Sequence, residues 1–207
     1  IEPSLDRISA LIDALGSPQL SFPTVHIGGT NGKTSTSRMV DALFTELEYR
    51  TGRFTSPHLE SFLERISIKG ESISPAELIA TYNDIALYLD LIDSRSETPI
   101  SYFEAITAMA FVAFAEHPVD IGIIEVGMGG DWDATNVVQS AVSVLMPIGL
   151  DHMEYLGETV EEIAQKVNRA VKYLKNRIIP EMVKSGYLVK LYTQTNHPQQ
   201  KYISKHN

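Results

Sequence analysis

Lysine, threonine, serine, glutamate and histidine stand at a few punctuated points of this chain, and together these types suit one chemistry, the gripping of a metal-bound chain of phosphates. The densest point is Gly29-Thr30-Asn31-Gly32-Lys33-Thr34, with Ser35 following. Glycines between a strand and a helix start let backbone N–H groups converge, and the helix dipole adds a field that favours an anion. Lys33 adds a mobile positive charge and Thr34 a hydroxyl suited to Mg2+. The loop is one residue off the G-x-x-x-x-G-K-[ST] spacing, because position 27 is Ile. An apolar run from Phe22 to Gly28 reads as the strand before it, and residues 34–48 read as the helix after it. Gly29, Thr30, Asn31, Gly32, Lys33, Thr34 and Ser35 are therefore taken as a nucleotide-phosphate loop.

Three further residues could complete a Mg2+ and ATP site. Glu125 closes an isoleucine-rich run, where a carboxylate is costly unless partnered. It is the natural metal ligand facing the phosphates, since Mg2+ prefers a few carboxylate oxygens plus phosphate. Ser56 precedes Pro57, which restricts its backbone to extended conformations and would fix its hydroxyl as a second ligand. His152 follows another apolar run and could ligate a second metal through a ring nitrogen. His26, His58 and His117 lack such company and read as structural or surface residues. In catalytic terms Lys33, Glu125 and His152 carry the weight.

The elements that must position these groups alternate. Residues 4–15 read as an amphipathic helix capped by Ser4, and residues 34–48 as a second, with Met39, Val40, Leu43 and Leu47 inward. A short strand near 51–55 leads to Ser56, and residues 62–68 alternate like a strand or ordered loop edge. Ser74-Pro75 opens a helix to about residue 92, and Ser101 with Glu104 forms a capping box before an almost wholly apolar helix. Residues 119–126 and 141–147 read as core strands, and residues 158–165 begin another helix. Strands alternating with helices predict an α/β fold with a mainly parallel, doubly wound sheet and a phosphate loop. Ligands of such sheets bind outside the carboxyl ends of the strands. Lys33-Thr34, Ser56, Glu125 and Asp151-His152 each follow a strand, so all belong on one rim.

Composition narrows the class. No apolar run is long enough to span a membrane, and there is no cysteine for disulfides or thiolate metal sites, which fits a cytoplasmic protein. The net charge of −9 divides unevenly. Residues 166–207 hold nine Lys/Arg against one acid, Glu181, while the first 165 hold eight against 25 acids. The acidic part argues against nucleic acid as a partner. The chain thus reads as a domain over 1–165 and a basic tail over 166–207, helical in part. Residue chemistry alone stops at an enzyme dependent on Mg2+ and ATP, since kinases, ATPases and acid–amine ligases share these parts.

The order of motifs goes further. The phosphate loop is followed by Thr55-Ser56-Pro57-His58-Leu59, Glu64-Arg65-Ile66, Ser101-Tyr102-Phe103-Glu104, Glu125-Val126-Gly127-Met128-Gly129-Gly130, Asp133-Ala134-Thr135-Asn136, and Asp151-His152 with Leu156-Gly157. This order resembles the folylpolyglutamate synthase / dihydrofolate synthase family, a branch of the Mur ligases, over residues 1–165. The resemblance implies a Mur-type ATPase domain, cut short here, in which ATP phosphorylates the carboxylate of dihydropteroate or a folate and L-glutamate then attacks the acyl phosphate. It implies Lys33 on the ATP phosphates, Thr34, Ser56, Glu125 and His152 on Mg2+, and a shaping role for residues 133–136.

Three departures accompany it. Asp131 stands where the family commonly has Arg, which reverses a charge beside the expected phosphate site. Lys166 stands one place early relative to a family lysine that is typically carbamylated. Residues 166–207 resemble neither the rest of the family's ATPase domain nor its C-terminal domain. A truncated or spliced chain is therefore expected, with an exposed apolar sheet edge. The competing readings are a non-catalytic nucleotide-binding fragment and a small-molecule kinase.

Overall fold

The computed structural model describes residues 4–150, 152–159, 163, 188–190 and 202–204. The chain divides into two compact units, residues 1–167 and 168–207. In chain order the first unit contains α1 (Asp6–Ala14), β1 (Thr24–Gly28), α2 (Lys33–Glu46), β2 (Thr51–Phe54), β3 (Ile66–Ile68), β4 (Glu71–Ser72), α3 (Pro75–Asp93), α4 (Tyr102–Glu116), β5 (Ile121–Glu125), β6 (Ser140–Leu145) and α5 (Met153–Leu156).

One sheet organises this unit, with strand order β4-β3-β2-β5-β1-β6. β2, β5, β1 and β6 run parallel, while β3 and β4 continue the sheet antiparallel. The central strands are buried on both faces, which is why β2 and β5 read as nearly unbroken buried runs. On one face α2 covers Val25, Ile27 and Ile123 through Val40. On the other, α1, α3 and α4 bury Phe54, Ile124, Phe111 and Phe114 in the main core. This is the mainly parallel α/β sheet, wound on both faces, that the alternation of elements predicts.

The helix starts follow their caps. Ser74 with Glu77 and Ser101 with Glu104 both form reciprocal capping boxes. The apolar helix α4 is buried nearly all round, from Ile106 to Phe114, as its sequence requires. The expected Ser4 cap of α1 does not form: Leu5 holds the N-cap position without a side-chain cap, and Ser4 accepts only the backbone N–H of Asp6 at 3.0 Å, while Ile8, Leu11 and Ile12 face the core as expected.

α2 overturns its expected orientation at three of four positions, Val40 alone packing inward as expected. Met39, Leu43 and Leu47 are 65%, 66% and 66% exposed, and Ser37 and Asp41 face inward instead. The reason lies on β2. Arg53 is buried there and requires an anion, which Asp41 supplies at 2.8 Å from Nε. Thr51 also donates to Asp41, and Arg53 Nη2 donates to Ser67 at 2.8 Å. A buried polar network thus fixes the helix on the sheet, against its apolar stripe.

Residues 62–68 are likewise not one strand. Ser61 and Glu64 form a capping box that winds Phe62–Arg65 into a 3-10 turn, and the strand begins only at Ile66. β6 is an edge of the sheet among the described residues, and its Val142 is 53% exposed. Within the helix expected over 158–165, Ile163 is helical and buried, and 160–162, 164 and 165 lie outside the described residues. In the second unit β7 (Leu188–Lys190) pairs antiparallel with β8 (Tyr202–Ser204). The helix expected within 166–207, like Asp151 and Lys166, falls outside the described residues.

Candidate active site

The parallel register brings four strand ends to one edge. Ile27 of β1 lies opposite Glu125 of β5 and Val144 of β6, and Phe54 of β2 lies opposite Ile124. The segments leaving these ends enclose a cleft of about 320 Å³, lined among others by Lys33, Thr34, Ser35, Ser56, Glu125 and His152. Lys33 and His152, 119 residues apart in sequence, therefore share one cavity.

The glycine loop is braced from behind. Backbone N–H groups of Thr30 and Asn31 donate to Pro147 O at 3.0 and 3.3 Å. Thr30 Oγ1 accepts from Gly149 N at 3.0 Å and lies 3.2 Å from Gly149 O. Gly29 has φ +126°, and a Cβ there would stand 2.6 Å from Met146 O, so only glycine fits. Thr30 and Gly32 border the cleft, Gly29 a small depression beside it, and Asn31 serves the brace rather than the lining. Lys33 Nζ folds back onto Gly29 O at 2.7 Å and Thr30 O at 3.3 Å.

Glu125 faces the start of α2. Its Oε1 accepts from Thr34 Oγ1 at 2.8 Å, while Oε2 is buried without a hydrogen-bond partner. Burial pushes its carboxyl above the usual carboxylate range, against the opposing pull of Thr34, Lys33 and the Ser56 backbone N–H. Ser56 follows β2 across a cis peptide to Pro57, and its Oγ accepts from Arg65 Nη1 at 3.2 Å. His152 is exposed, takes the left-handed conformation at φ +49°, and caps α5. Oxygen donors from Thr34, Ser56 and Glu125 around one orphaned carboxylate oxygen suit Mg2+. Among the described residues no cluster of three His, Asp or Glu could cage a metal alone, so phosphate oxygens would have to complete the shell.

A second cavity, about 470 Å³, adjoins the first through Ser56 and Gly127. Phe103, Trp132 and Tyr155 line it, and Arg7 with Glu104 lies on its wall, Arg7 Nε being 3.2 and 3.3 Å from the two carboxylate oxygens. Its shared rim is held by Asp133. That carboxylate is buried and accepts from Met128 N at 2.8 Å, Thr135 N at 3.0 Å, Thr135 Oγ1 and the Gly127 backbone. Burial raises its pKa, and those donors oppose the rise. A Cβ at Gly127 would stand 2.4 Å from Phe103 Cζ, so the turn can pass the aromatic ring only as glycine. Thr135 links Asp133 to His26 Nε2 at 2.8 Å, which makes His26 a brace, as its lack of polar company in sequence suggested.

The exposed Asp131 lies outside the lining of both cavities, and its carbonyl accepts from Asn136 Nδ2 at 3.0 Å. Arg7, Arg65 and the aromatic wall were not assigned roles from sequence. A usable signal existed: Arg53 stands within an expected core strand and Arg65 beside Ile66 in a strand-like run, and a buried arginine must have partners.

The model of the Mur ligase middle domain matches residues 27–205. The chain belongs to the Mur ligase middle-domain family. The match extends past residue 165, where the motif order ends. Within the Mur ligases, the dihydrofolate synthase/folylpolyglutamate synthase of Mycobacterium tuberculosis (strain H37Rv) is 58% identical over 171 residues, covering 79% of this chain. The chain spans only 35% of that relative. A solved Mycobacterium tuberculosis folylpolyglutamate synthase complexed with ADP aligns with TM-score 0.77 and 58% identity, covering 81% of this chain and 38% of that one. A bifunctional folylpolyglutamate synthase/dihydrofolate synthase with Mn, AMPPNP and L-glutamate bound aligns with TM-score 0.72 and 32% identity, covering 81% and 40%.

Proposed function

We propose that this chain carries the nucleotide-binding part of an ATP-dependent ligase that joins L-glutamate to dihydropteroate or a folate. The observation that carries this reading is the adjacency of two cavities across Ser56 and Gly127. One is lined by Lys33, Thr34 and Glu125; the other is aromatic and sized for a flat heterocycle. An acid seated in the aromatic cavity would present its carboxylate to the cleft.

Gly29 to Ser35 hold the triphosphate of ATP, with Lys33 as the mobile charge. Thr34, Ser56, Glu125 and His152 hold Mg2+, which supplies neutralisation of phosphate charge when bound. A carboxylate oxygen of the acceptor attacks the γ-phosphorus and the bond to ADP breaks. The glutamate amine then attacks the acyl carbon of the acyl phosphate, inorganic phosphate leaves, and the nitrogen loses a proton. In both steps the residues of the chain position and neutralise rather than react covalently. The Asp133 brace keeps the 127–130 turn between the two cavities.

The test is ADP release by the full chain with and without L-glutamate and the pteroate or folate acceptor. Release that requires both supports the ligase. Nucleotide binding without turnover would support a second reading, a non-catalytic nucleotide-binding fragment. A phosphorylated product that persists without amine would support a kinase. The chain contains no helix long and apolar enough to cross a membrane among its described residues.

A further inference from the structure

Arg65 is 9% exposed, yet among the described residues it belongs to no ion pair. Its Nη1 donates to Ser56 Oγ at 3.2 Å and its Nε to His58 Nδ1 at 3.0 Å. The guanidinium lies 5.8 Å from the Phe62 ring centre and 5.7 Å from that of Tyr102. Two hydrogen bonds and two ring contacts fix an otherwise flexible side chain. What it holds is, among the described residues, the one side chain common to both cavities besides the Gly127 backbone.

We propose that Arg65 is a positioning residue that orients the Ser56 hydroxyl and makes metal binding there depend on the nucleotide. The inference rests on the reading of Ser56 as a metal ligand. Arginine only donates, so Ser56 Oγ is the acceptor and one of its lone pairs is taken. The other lone pair then has a defined direction, set by a partner that cannot reverse roles. The same contact places a full positive charge one hydrogen bond from an oxygen meant for a cation. A bare metal ion is repelled there, whereas a metal arriving with a triphosphate brings the compensating charge. Arg65 thus improves the ligand for the loaded nucleotide and disfavours the ion alone.

The experiment compares binding of Mn2+ alone and of Mn2+ with ATP by titration calorimetry, in the full chain and in R65Q, R65K, S56A and S56A/R65Q. Circular dichroism melts of each variant establish that it folds. R65Q should weaken Mn2+–ATP binding about tenfold, a loss typical of one positioned hydrogen bond to a charged partner. It should leave Mn2+ alone unchanged or tighter. R65K should not restore the parent, since an ammonium lacks the planar fork held between Phe62 and Tyr102. In the S56A background R65Q should have less than about twofold further effect, which is the signature of action through Ser56. An equal loss from R65Q in both backgrounds overturns this inference and leaves Ser56 as a ligand. Parent-like Mn2+–ATP binding by S56A overturns the ligand reading itself, and this inference with it.

Discussion

Thr34 Oγ1 donates to Glu125 Oε1 at 2.8 Å across 91 residues of sequence, tying the first turn of α2 to the last residue of β5. The second oxygen of that carboxylate is buried and unpartnered. A native carboxylate in this condition is a destabilising element kept for another purpose, because an unmet acceptor costs about 1–3 kcal/mol. A cation at the cleft would satisfy it, and burial holds the carboxyl above the usual carboxylate range.

E125Q should therefore stabilise the ligand-free protein at neutral pH while weakening nucleotide–metal binding. Burial raises the Glu125 pKa, so above the usual carboxylate range the native state binds a proton more readily than the unfolded chain. Stability falls as pH rises from the unfolded value through the folded one, and E125Q removes that fall. Thermal melts should show E125Q gaining a few degrees at pH 7–8, at about 2–4 °C per kcal/mol for a domain of this size. The gain should vanish in acid. Equal pH dependence in both proteins would contradict this account.

Lys33 spends its ammonium on Gly29 O and Thr30 O, two carbonyls of its own loop. Those contacts are local and partly exposed, so K33A should leave the melting temperature within a degree or two. Nucleotide affinity should fall by at least about a hundredfold, because several charge-assisted contacts to phosphate are lost together. Binding of a fluorescent ATP analogue, measured beside a melt, separates the two effects. Parent-like affinity would remove Lys33 from the phosphate site.

The placement of these groups was legible because it follows from topology. Strand ends in a parallel sheet share an edge, so Lys33, Ser56, Glu125 and His152 could be brought together from their positions after apolar runs. What periodicity misread was α2. Its apolar stripe at Met39, Leu43 and Leu47 predicted an inward face, but the buried Arg53 of the neighbouring strand decided otherwise. A single buried charge outweighs three side chains that stay exposed, and its partner choice is a tertiary fact not readable from the apolar stripe. Arg65 was missed although Ser56, His58 and Phe62 lie within nine residues of it, because the strand-like alternation over 62–68 concealed the 3-10 turn that gathers them, and Tyr102 comes from a separate helix. The aromatic cavity was also illegible, since Phe103, Trp132 and Tyr155 come from three separate segments.

His26 should define an acid limb of stability. Burial lowers its pKa to about 4 from 6.5, so the native state holds the neutral ring. The unfolded chain takes up the proton first, and stability is lost as pH falls from about 6.5 through 4. The loss has an upper bound of about 3 kcal/mol. Thr135 gives its hydrogen to the buried Asp133, so neutral His26 donates from Nε2 to Thr135 Oγ1. H26Q can still donate to Thr135 and should flatten urea-unfolding stability between pH 6.5 and 4.5. A parent-like slope over that range would exclude His26 as its source.

The Asp41–Arg53 pair supplies the sharpest test of how α2 is held. Both side chains are about 5% exposed, and the pair joins the helix that begins at Lys33 to the strand that leads to Ser56. Removing one partner strands a buried charge, so D41A should cost about 3–5 kcal/mol. Arg53 would lose its Nε bond and keep only Thr55 and Ser67. Replacing both, as in D41L/R53M, removes the stranded charge and should be less destabilising than D41A alone. The double variant should also widen the phosphate site's tolerance for misplacement, lowering nucleotide affinity even where stability recovers, because the polar lock that sets α2 against β2 is gone. Denaturant titrations of the three proteins, paired with nucleotide binding, distinguish an anchoring role from simple stabilisation. Recovery of both stability and affinity in D41L/R53M would mean that packing alone seats the helix.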